Sequence, residues 1–116
     1  MEARAVSRYI PIAPRKVRLV ADLVRNRDVE TALEILKFSD KAGAVPVEKA
    51  VRSALANAGQ NPDIDVEGLY VKTIFVDNGP IRYWARFKGR LHVSKIRRRR
   101  CHVTVVLDDG AEAVAS

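Results

Sequence analysis

One stretch of this sequence combines a high density of basic residues with no acidic residue. Residues 81–100, IRYWARFKGRLHVSKIRRRR, have no aspartate or glutamate but hold nine of the chain's 21 lysine and arginine residues. The rest of the chain carries twelve basic and 14 acidic side chains, so the net charge of +7 resides in this stretch. Because like charges repel one another unless a dense negative surface or its counterions are close, the stretch predicts a polyanionic partner.

Cysteine and long apolar runs are also scarce. A single cysteine, Cys101, excludes an internal disulfide framework and suits a reducing compartment. No apolar run is long enough to cross a bilayer, and the N-terminal sequence MEARAVSRYI has no apolar signal core, so we predict a cytoplasmic protein with no membrane partner. The sequence has no Gly-rich phosphate loop and too few histidines and cysteines for a closed zinc site, so we expect neither cofactor nor metal. Its 116 residues correspond to one domain.

The basic stretch is also rich in apolar residues, unlike a disordered basic tail or a plain solvated face. These residues are Ile81, Tyr83, Trp84, Phe87, Leu91, Val93 and Ile96. Lys88 and Gly89 lie near its middle, where a chain reversal is expected if the two halves pair. We therefore predict a long β-hairpin over residues 80–100, which extends on the order of 30 Å at roughly 3.3 Å per residue.

Alternation of apolar residues predicts three strands, at residues 2–10, 69–76 and 101–107. We expect the last two to pair and the first to lie at an edge. In the first strand, one face carries Ala3, Ala5, Ser7 and Tyr9. In the second, one face carries Leu69, Val71, Thr73 and Phe75.

Helical spacing of apolar residues predicts three helices. The first begins at Pro14, runs to about residue 25 and buries Val17, Val20, Ala21 and Val24, with Leu19 and Leu23 widening the apolar stripe. The second, capped by Asp28, ends near residue 38. The third runs from a cap at Asp40 to about residue 58, and Pro46 should either kink this helix or delay its start to Val45.

Together these elements predict an α+β fold in which three helices pack on a small antiparallel three-stranded sheet with a long protruding β-hairpin. The globular body comprises residues 1–79 and 101–107, and the hairpin comprises residues 80–100. Residues 108–116 contain too little apolar surface to pack, and we expect a disordered tail.

A second basic cluster lies in the first turn of the first helix. Arg15, Lys16 and Arg18 stand where the helix dipole favours anions rather than cations. Free N–H groups together with three cations make an anion site, and a bound phosphate reverses the unfavourable term. The alternative is that these are ordinary surface charges.

Five motifs in order along the chain carry a family resemblance. They are APRKVRLVADLVR, ANAGQN, LYVKTIFVDNGP, the basic hairpin and RRRRCHVTVVL. This pattern resembles the bacterial large-subunit ribosomal protein number twenty-two family over nearly the whole chain. The resemblance implies an α+β body on the outside of the large subunit near the peptide exit. It further implies a hairpin that threads through large-subunit ribosomal RNA to line the exit tunnel, a role in early assembly, and neighbouring ribosomal proteins and the nascent polypeptide as partners.

The predicted RNA-binding residues combine the two basic clusters with the family pattern. By resemblance, Arg15, Lys16 and Arg18 correspond to RNA contacts at the helix start, and Arg97, Arg98, Arg99 and His102 to the basic return strand. Charge adds further cations, and Tyr83 and Trp84 are candidates for stacking on unpaired bases. The further cations are Arg8, Arg82, Arg86, Lys88, Arg90, Lys95 and Arg100.

The expected tunnel-lining residues are those at the hairpin tip: Arg86, Phe87, Lys88, Gly89 and Arg90. Here the chain departs from the family, whose tip commonly reads like PRARGRA, because this tip has no proline. Elsewhere, the chain has Ala13 where the family usually has serine, and Arg100-Cys101 where the family has Thr-Ser. The tip therefore resembles the family in charge more than in detail.

Two other functions fit parts of the sequence. An architectural DNA-binding protein with β-ribbon arms also combines a helical body with a basic hairpin, although such arms usually carry an apolar or proline wedge at the tip. An enzyme would have to use Cys101, His92 or His102. Cys101 and His102 are adjacent in a predicted strand, so they point to opposite faces and cannot form a nucleophile–base pair.

Overall fold

The computed structural model describes residues 1–87, 89–90 and 92–110. The elements in chain order are β1 (Glu2–Ile10), α1 (Pro14–Val24), α2 (Val29–Lys37), α3 (Ala44–Gly59), a 3-10 turn (Val66–Gly68), β2 (Tyr70–Asn78), β3 (Arg82–Phe87), β4 (Val93–Arg98) and β5 (Cys101–Asp108). Strands β1, β5 and β2 form an antiparallel sheet in that order, and β3 pairs with β4 in a separate hairpin. The predicted α+β architecture is confirmed.

The core lies between this sheet and the helices. Cys101, Val103, Val105 and Leu107 of the central strand β5 are fully buried on one face. Helix α3 packs on β1 and β5, α1 packs on β2, and α2 packs against α3. The helices thus cover one face of the sheet and leave the other face open.

Strand β1 is the predicted edge strand, but the faces predicted for Tyr9 and Ile10 are wrong. Ser7 pairs with Val103 and Ile10 with Cys101, so two residues of β1 oppose one residue of β5 in a β-bulge. Within the bulge Tyr9 has φ 57°. Ile10 is consequently turned into the core with 5% exposure, whereas Tyr9 is 56% exposed.

Strand β2 contains a second bulge, between Val71 and Thr73, which corrects another predicted face. Leu69 and Val71 are buried as predicted, but beyond the bulge the buried residues are Ile74 and Val76. Phe75, predicted on the same face as Val71, is 39% exposed. A bulge adds one residue to a strand, so the alternation of buried and exposed side chains is shifted by one position beyond it. Strict alternation therefore assigns residues after the bulge to the wrong face.

The helices require two corrections. In α1 the predicted stripe is buried, but Leu19 and Leu23 are 55% and 43% exposed and do not widen it. Helix α3 begins at Ala44, so Asp40 is not its cap. Pro46 is its third residue, in the first turn, where a backbone N–H has no intrahelical partner to lose.

Strand β5 ends at Asp108, which lies inside the predicted tail. Asp108 is only 3% exposed, its carboxylate accepts a 3.0 Å hydrogen bond from the N–H of Gly110, and Lys72 Nζ lies 3.4 Å away. Burial acts to raise the pKa of Asp108, but these contacts outweigh it and leave the pKa below its ordinary value. Asp108 therefore belongs to the body, and residues 111–116 of the predicted tail lie outside the described residues.

Candidate nucleic-acid interface

The hairpin leaves the sheet where β2 and β5 stop pairing. Asn78 and Cys101 form the last pair of that register. Beyond them the N–H of Gly79 donates to the carbonyl oxygen of Arg100 at 2.8 Å. A Cβ atom at Gly79 would lie 3.2 Å from three atoms of Arg100, two of them backbone atoms, so a side chain here would require the two segments to move slightly apart. The resulting projection accounts for the extents of 67 × 25 × 23 Å.

Cross-strand partners lie on the same face of a hairpin, which assigns each side chain to one of two faces. Each face carries both cations and at least one aromatic ring. One face has Arg82, Trp84 and Arg86 opposite Arg98, Ile96 and Ser94. The other has Tyr83, Ala85 and Phe87 opposite Arg97, Lys95 and Val93. All six residues of β3 are exposed. The hairpin therefore offers two surfaces to a polyanion rather than one.

The hairpin aromatics are available for stacking. Tyr83, Trp84 and Phe87 are 59%, 55% and 81% exposed. The guanidinium of Arg98 lies 5.1 Å from the Trp84 ring centroid, within the range of a cation–π contact. No such cation is recorded over Tyr83 or Phe87 among the described residues.

A cavity of about 490 Å³ lies between the start of α1 and the base of the hairpin. We call it the junction cavity. Its lining residues are Pro11, Ala13, Lys16, Arg82, Trp84, Arg97, Arg98, Arg99 and Arg100. Six of the nine are cationic and none is acidic, and no ion pair within the described ranges involves any of the six. The junction cavity is therefore strongly electropositive.

This cavity brings together residues from both predicted basic clusters. Lys16 comes from the helix start, while Arg82 and the four consecutive arginines come from the hairpin base, more than 60 positions later in the chain. Arg15 is exposed on the same turn of α1 but does not line the cavity. The sequence predicted two separate clusters, and the fold brings Lys16 of the helix cluster to the arginines at the hairpin base.

Two predicted RNA ligands have partners inside the body. The guanidinium of Arg18 donates to the carbonyl oxygen of Val76 through Nε at 3.3 Å and Nη2 at 3.0 Å. His102 Nδ1 accepts a 3.0 Å hydrogen bond from the N–H of Tyr9. These contacts hold α1 to the edge strand β2 and brace the bulge of β1. RNA binding by Arg18 and His102 remains a prediction.

The chain is similar in sequence to ribosomal proteins over nearly its whole length. The profile of the family described as Ribosomal protein L22p/L17e matches residues 5–108. The chain is 50% identical over 111 residues to large ribosomal subunit protein uL22 of Syntrophus aciditrophicus (strain SB), covering 94% of this chain and 99% of that protein. It is 51% identical over 111 residues to the protein of the same name from Geobacter metallireducens, with the same coverages. It is 46% identical over 114 residues to that of Staphylococcus aureus (strain JH9), covering 97% of this chain and 96% of that protein.

The chain belongs to the L22p/L17e family of ribosomal proteins. The resemblance read from the sequence motifs is thereby confirmed. The matched segment includes the whole hairpin and both groups of cations that meet at the junction cavity.

In this L22p/L17e chain the hairpin tip follows the last cross-strand pair, Phe87 with Val93. Arg86, Phe87, Gly89 and Arg90 are exposed, and Gly89 has φ 67°, a left-handed conformation that favours glycine at the reversal. Lys88, predicted both to bind RNA and to line the tunnel, lies outside the described residues.

Sequence reasoning missed two features of this family member's surface. Pro11 and Ala13 contribute apolar lining to the junction cavity, although they carried no chemical signal in the sequence. Arg4 joins Arg8 and His102 around a second cavity of about 260 Å³ on the open face of the sheet. The alternation of β1 places Arg4 and Arg8 on one face, so this pair was detectable from the sequence.

Cys101 and His102, two of the residues considered for catalysis, do not form a nucleophile–base pair in this L22p/L17e chain. The Cys101 side chain is fully buried among core residues, and burial raises the pKa of its thiol, with Arg18 acting weakly in the opposite direction. His102 lies on the opposite face of β5, as predicted from their adjacency. Among the described residues no group of His, Cys, Asp and Glu side chains could hold a metal ion. Nor is any described helix long and apolar enough to cross a membrane.

Proposed function

We propose that this chain is a structural, non-catalytic constituent of the large subunit of cytoplasmic ribosomes, which binds large-subunit ribosomal RNA through its hairpin and the junction cavity. Membership of the L22p/L17e family supports the assignment to the ribosome. The observation that carries RNA binding is the junction cavity, where six cations without acidic partners meet. Such a site is electrostatically costly until phosphates enter it.

The hairpin itself supports an RNA partner over a protein partner. A two-stranded ribbon is marginally stable alone in water, so an outside surface must hold it in place. Its residues are cations that neutralise phosphates and rings that stack on unpaired bases, and structured RNA supplies both. In this proposal the body folds separately while the hairpin binds RNA, and this binding supports subunit assembly.

For the hairpin tip we propose a separate role in lining the nascent-peptide exit tunnel. The tip is the part of the hairpin farthest from the sheet, and Phe87 is the most exposed of its rings at 81%. Attachment then depends on the junction cavity and strands, while the tip faces the nascent polypeptide. The body is left to contact neighbouring proteins of the subunit.

The test is a triple charge reversal at the base of the hairpin. Replacing Arg97, Arg98 and Arg99 by glutamate should abolish most binding to large-subunit rRNA and co-sedimentation with large subunits after a high-salt wash. The dependence of log K on log salt should also flatten, since each phosphate contact contributes roughly 0.7 to 0.9 to its slope.

A matched control reverses three exposed cations of the helical body. These are Arg27, Lys37 and Arg52. Their net charge change is the same, so a general electrostatic effect would reduce binding equally in both variants and would contradict a localised interface. An unchanged salt slope in the hairpin variant would also contradict a localised interface. Tighter binding to duplex DNA than to rRNA at matched salt would instead support an architectural DNA-binding protein.

A further inference from the structure

We infer that the junction cavity holds one unpaired nucleotide of the RNA, with its base stacked on Trp84 and its phosphate held by the surrounding cations. The inference rests on the proposed RNA-binding function and specifies what part of the RNA enters this site. A bare phosphate contact would need only the cations, whereas the cavity also contains an accessible indole ring.

The size of the junction cavity fits a nucleotide rather than an ion. Its volume of about 490 Å³ falls within the range of small-molecule sites, about 300–1,000 Å³. Pro11 and Ala13 provide uncharged lining at which a base loses little hydration. The site is thus suited to a group that is partly flat and apolar and partly anionic.

Trp84 is prepared for stacking by Arg98. The guanidinium lies 5.1 Å from the ring centroid, and 55% of the Trp84 residue surface remains exposed. A cation against an aromatic ring restrains its orientation and makes it part of a positive surface. A base inside a duplex has both of its faces covered by neighbouring bases, so this ring favours an unpaired base over one inside a duplex.

Cations from two parts of the fold surround the ring. Lys16 belongs to α1, whereas Arg99 and Arg100 belong to the connection between β4 and β5. A nucleotide whose phosphate contacts Lys16 and one of these arginines therefore joins the body to the hairpin. Besides adding affinity, binding at this site would set the direction in which the hairpin leaves the body.

The chain provides its own probe for this site. It has a single tryptophan, so intrinsic tryptophan fluorescence reports on the junction cavity alone. We would titrate the full chain with a single-stranded pentamer of riboadenylate and with an abasic pentamer of equal charge. The adenylate pentamer should quench the emission and bind about 5- to 150-fold more tightly, the range expected for stacking of one base. Equal affinity and equal quenching would overturn the inference.

Tyr83 offers a matched control because it is as exposed as Trp84 but does not line the junction cavity. Trp84→Leu should weaken binding to large-subunit rRNA by about 5- to 150-fold, the range expected for loss of one stacked base. The salt slope should stay unchanged, because no cation is lost. Trp84→Phe should recover part of that loss, and Tyr83→Leu should bind nearly as tightly as the unmodified chain. Equal effects of the two leucine variants would overturn the inference.

Failure of this inference is distinguishable from failure of the proposed function. If the unmodified chain binds rRNA with a steep salt slope but does not distinguish the two pentamers, the nucleotide site is wrong and the ribosomal role stands. If the unmodified chain does not bind rRNA at all, the proposed function is wrong. All the substituted residues lie outside the core, so a thermal melt of each variant should match that of the unmodified chain.

Discussion

His102 braces the strained backbone of Tyr9. Its Nδ1 atom accepts a 3.0 Å hydrogen bond from the Tyr9 N–H, and the two rings meet edge to face with centroids 5.0 Å apart. Tyr9 has φ 57°, a left-handed conformation that is unfavourable for a side chain of this size. A residue predicted from the sequence to bind RNA thus supports the bulge that directs Ile10 into the core.

Removing this hydrogen bond should destabilise the body. His102→Ala should reduce the free energy of unfolding by about 1 kcal/mol, the usual net value of one hydrogen bond, as measured by urea denaturation. His102→Asn should retain most of the stability, because its side-chain oxygen lies near the position of Nδ1 and can accept the same bond. If the alanine variant is as stable as the asparagine variant, His102 does not brace the bulge.

Arg15 and Arg18 lie on the same turn of α1 but should respond differently to substitution. Arg18 bonds to the carbonyl oxygen of Val76, so Arg18→Ala should lower the stability by about 1 kcal/mol. Arg15 is exposed and makes no ion pair or side-chain hydrogen bond among the described residues, so Arg15→Ala should leave the melting temperature unchanged and weaken rRNA binding. Parallel thermal melts and RNA titrations would test the contrast, which equal losses of stability would refute.

The body should fold without the hairpin. Among the described residues between Val76 and Cys101, none belongs to the core, and the last sheet pair is Asn78 with Cys101. Replacing residues 79–100 with Asn-Gly, the preferred sequence of a two-residue hairpin turn, should yield a soluble protein with a cooperative thermal transition and weak RNA binding. A molten or insoluble product would show that the hairpin contributes to the core.

Shortening the hairpin should separate attachment from tunnel lining. Deleting Arg86, Phe87, Val93 and Ser94 removes two cross-strand pairs and retracts the tip by about 6–7 Å without reversing its faces. Large subunits should incorporate this variant at near-normal occupancy, because the junction cavity is unchanged, but its nascent-chain crosslinks should differ. A full-length Arg86→Ser variant controls for the lost cation. Failure of incorporation, or identical crosslinks, would each contradict the proposed division.

Cys101 should be unreactive in the folded protein. Its side chain is fully buried, and burial raises the pKa of the thiol, so both access and the thiolate fraction are low. Because the chain has one cysteine, thiol labelling at neutral pH should be negligible in buffer and complete in concentrated urea. Rapid labelling under native conditions would mean that the end of β5 opens readily.

Most of the architecture followed from local patterns. The stripe of Val17, Val20, Ala21 and Val24 predicted α1, and charge without acidic residues marked the hairpin. Such signals are local, because helix and strand periods repeat within a few residues. The family resemblance likewise depended on the order of short motifs.

The faces of the edge strands required the tertiary structure, because a bulge adds one residue and inverts the alternation beyond it. The start of α3 was decided locally: the helix begins at Ala44, next to the alternative start at Val45 that Pro46 predicted, and not at a cap on Asp40.

By itself, the sequence determined that this protein concentrates its net positive charge in one hairpin, because charge depends on composition alone, and it predicted a polyanionic partner. Only the tertiary structure decided that Lys16 and Trp84 line one cavity with the four consecutive arginines. It also assigned Arg18 and His102 to structural contacts. The physical reason is that a binding site depends on distances between side chains, and folding sets those distances by closing the sheet around β5, which brings the start of α1 to the base of the hairpin.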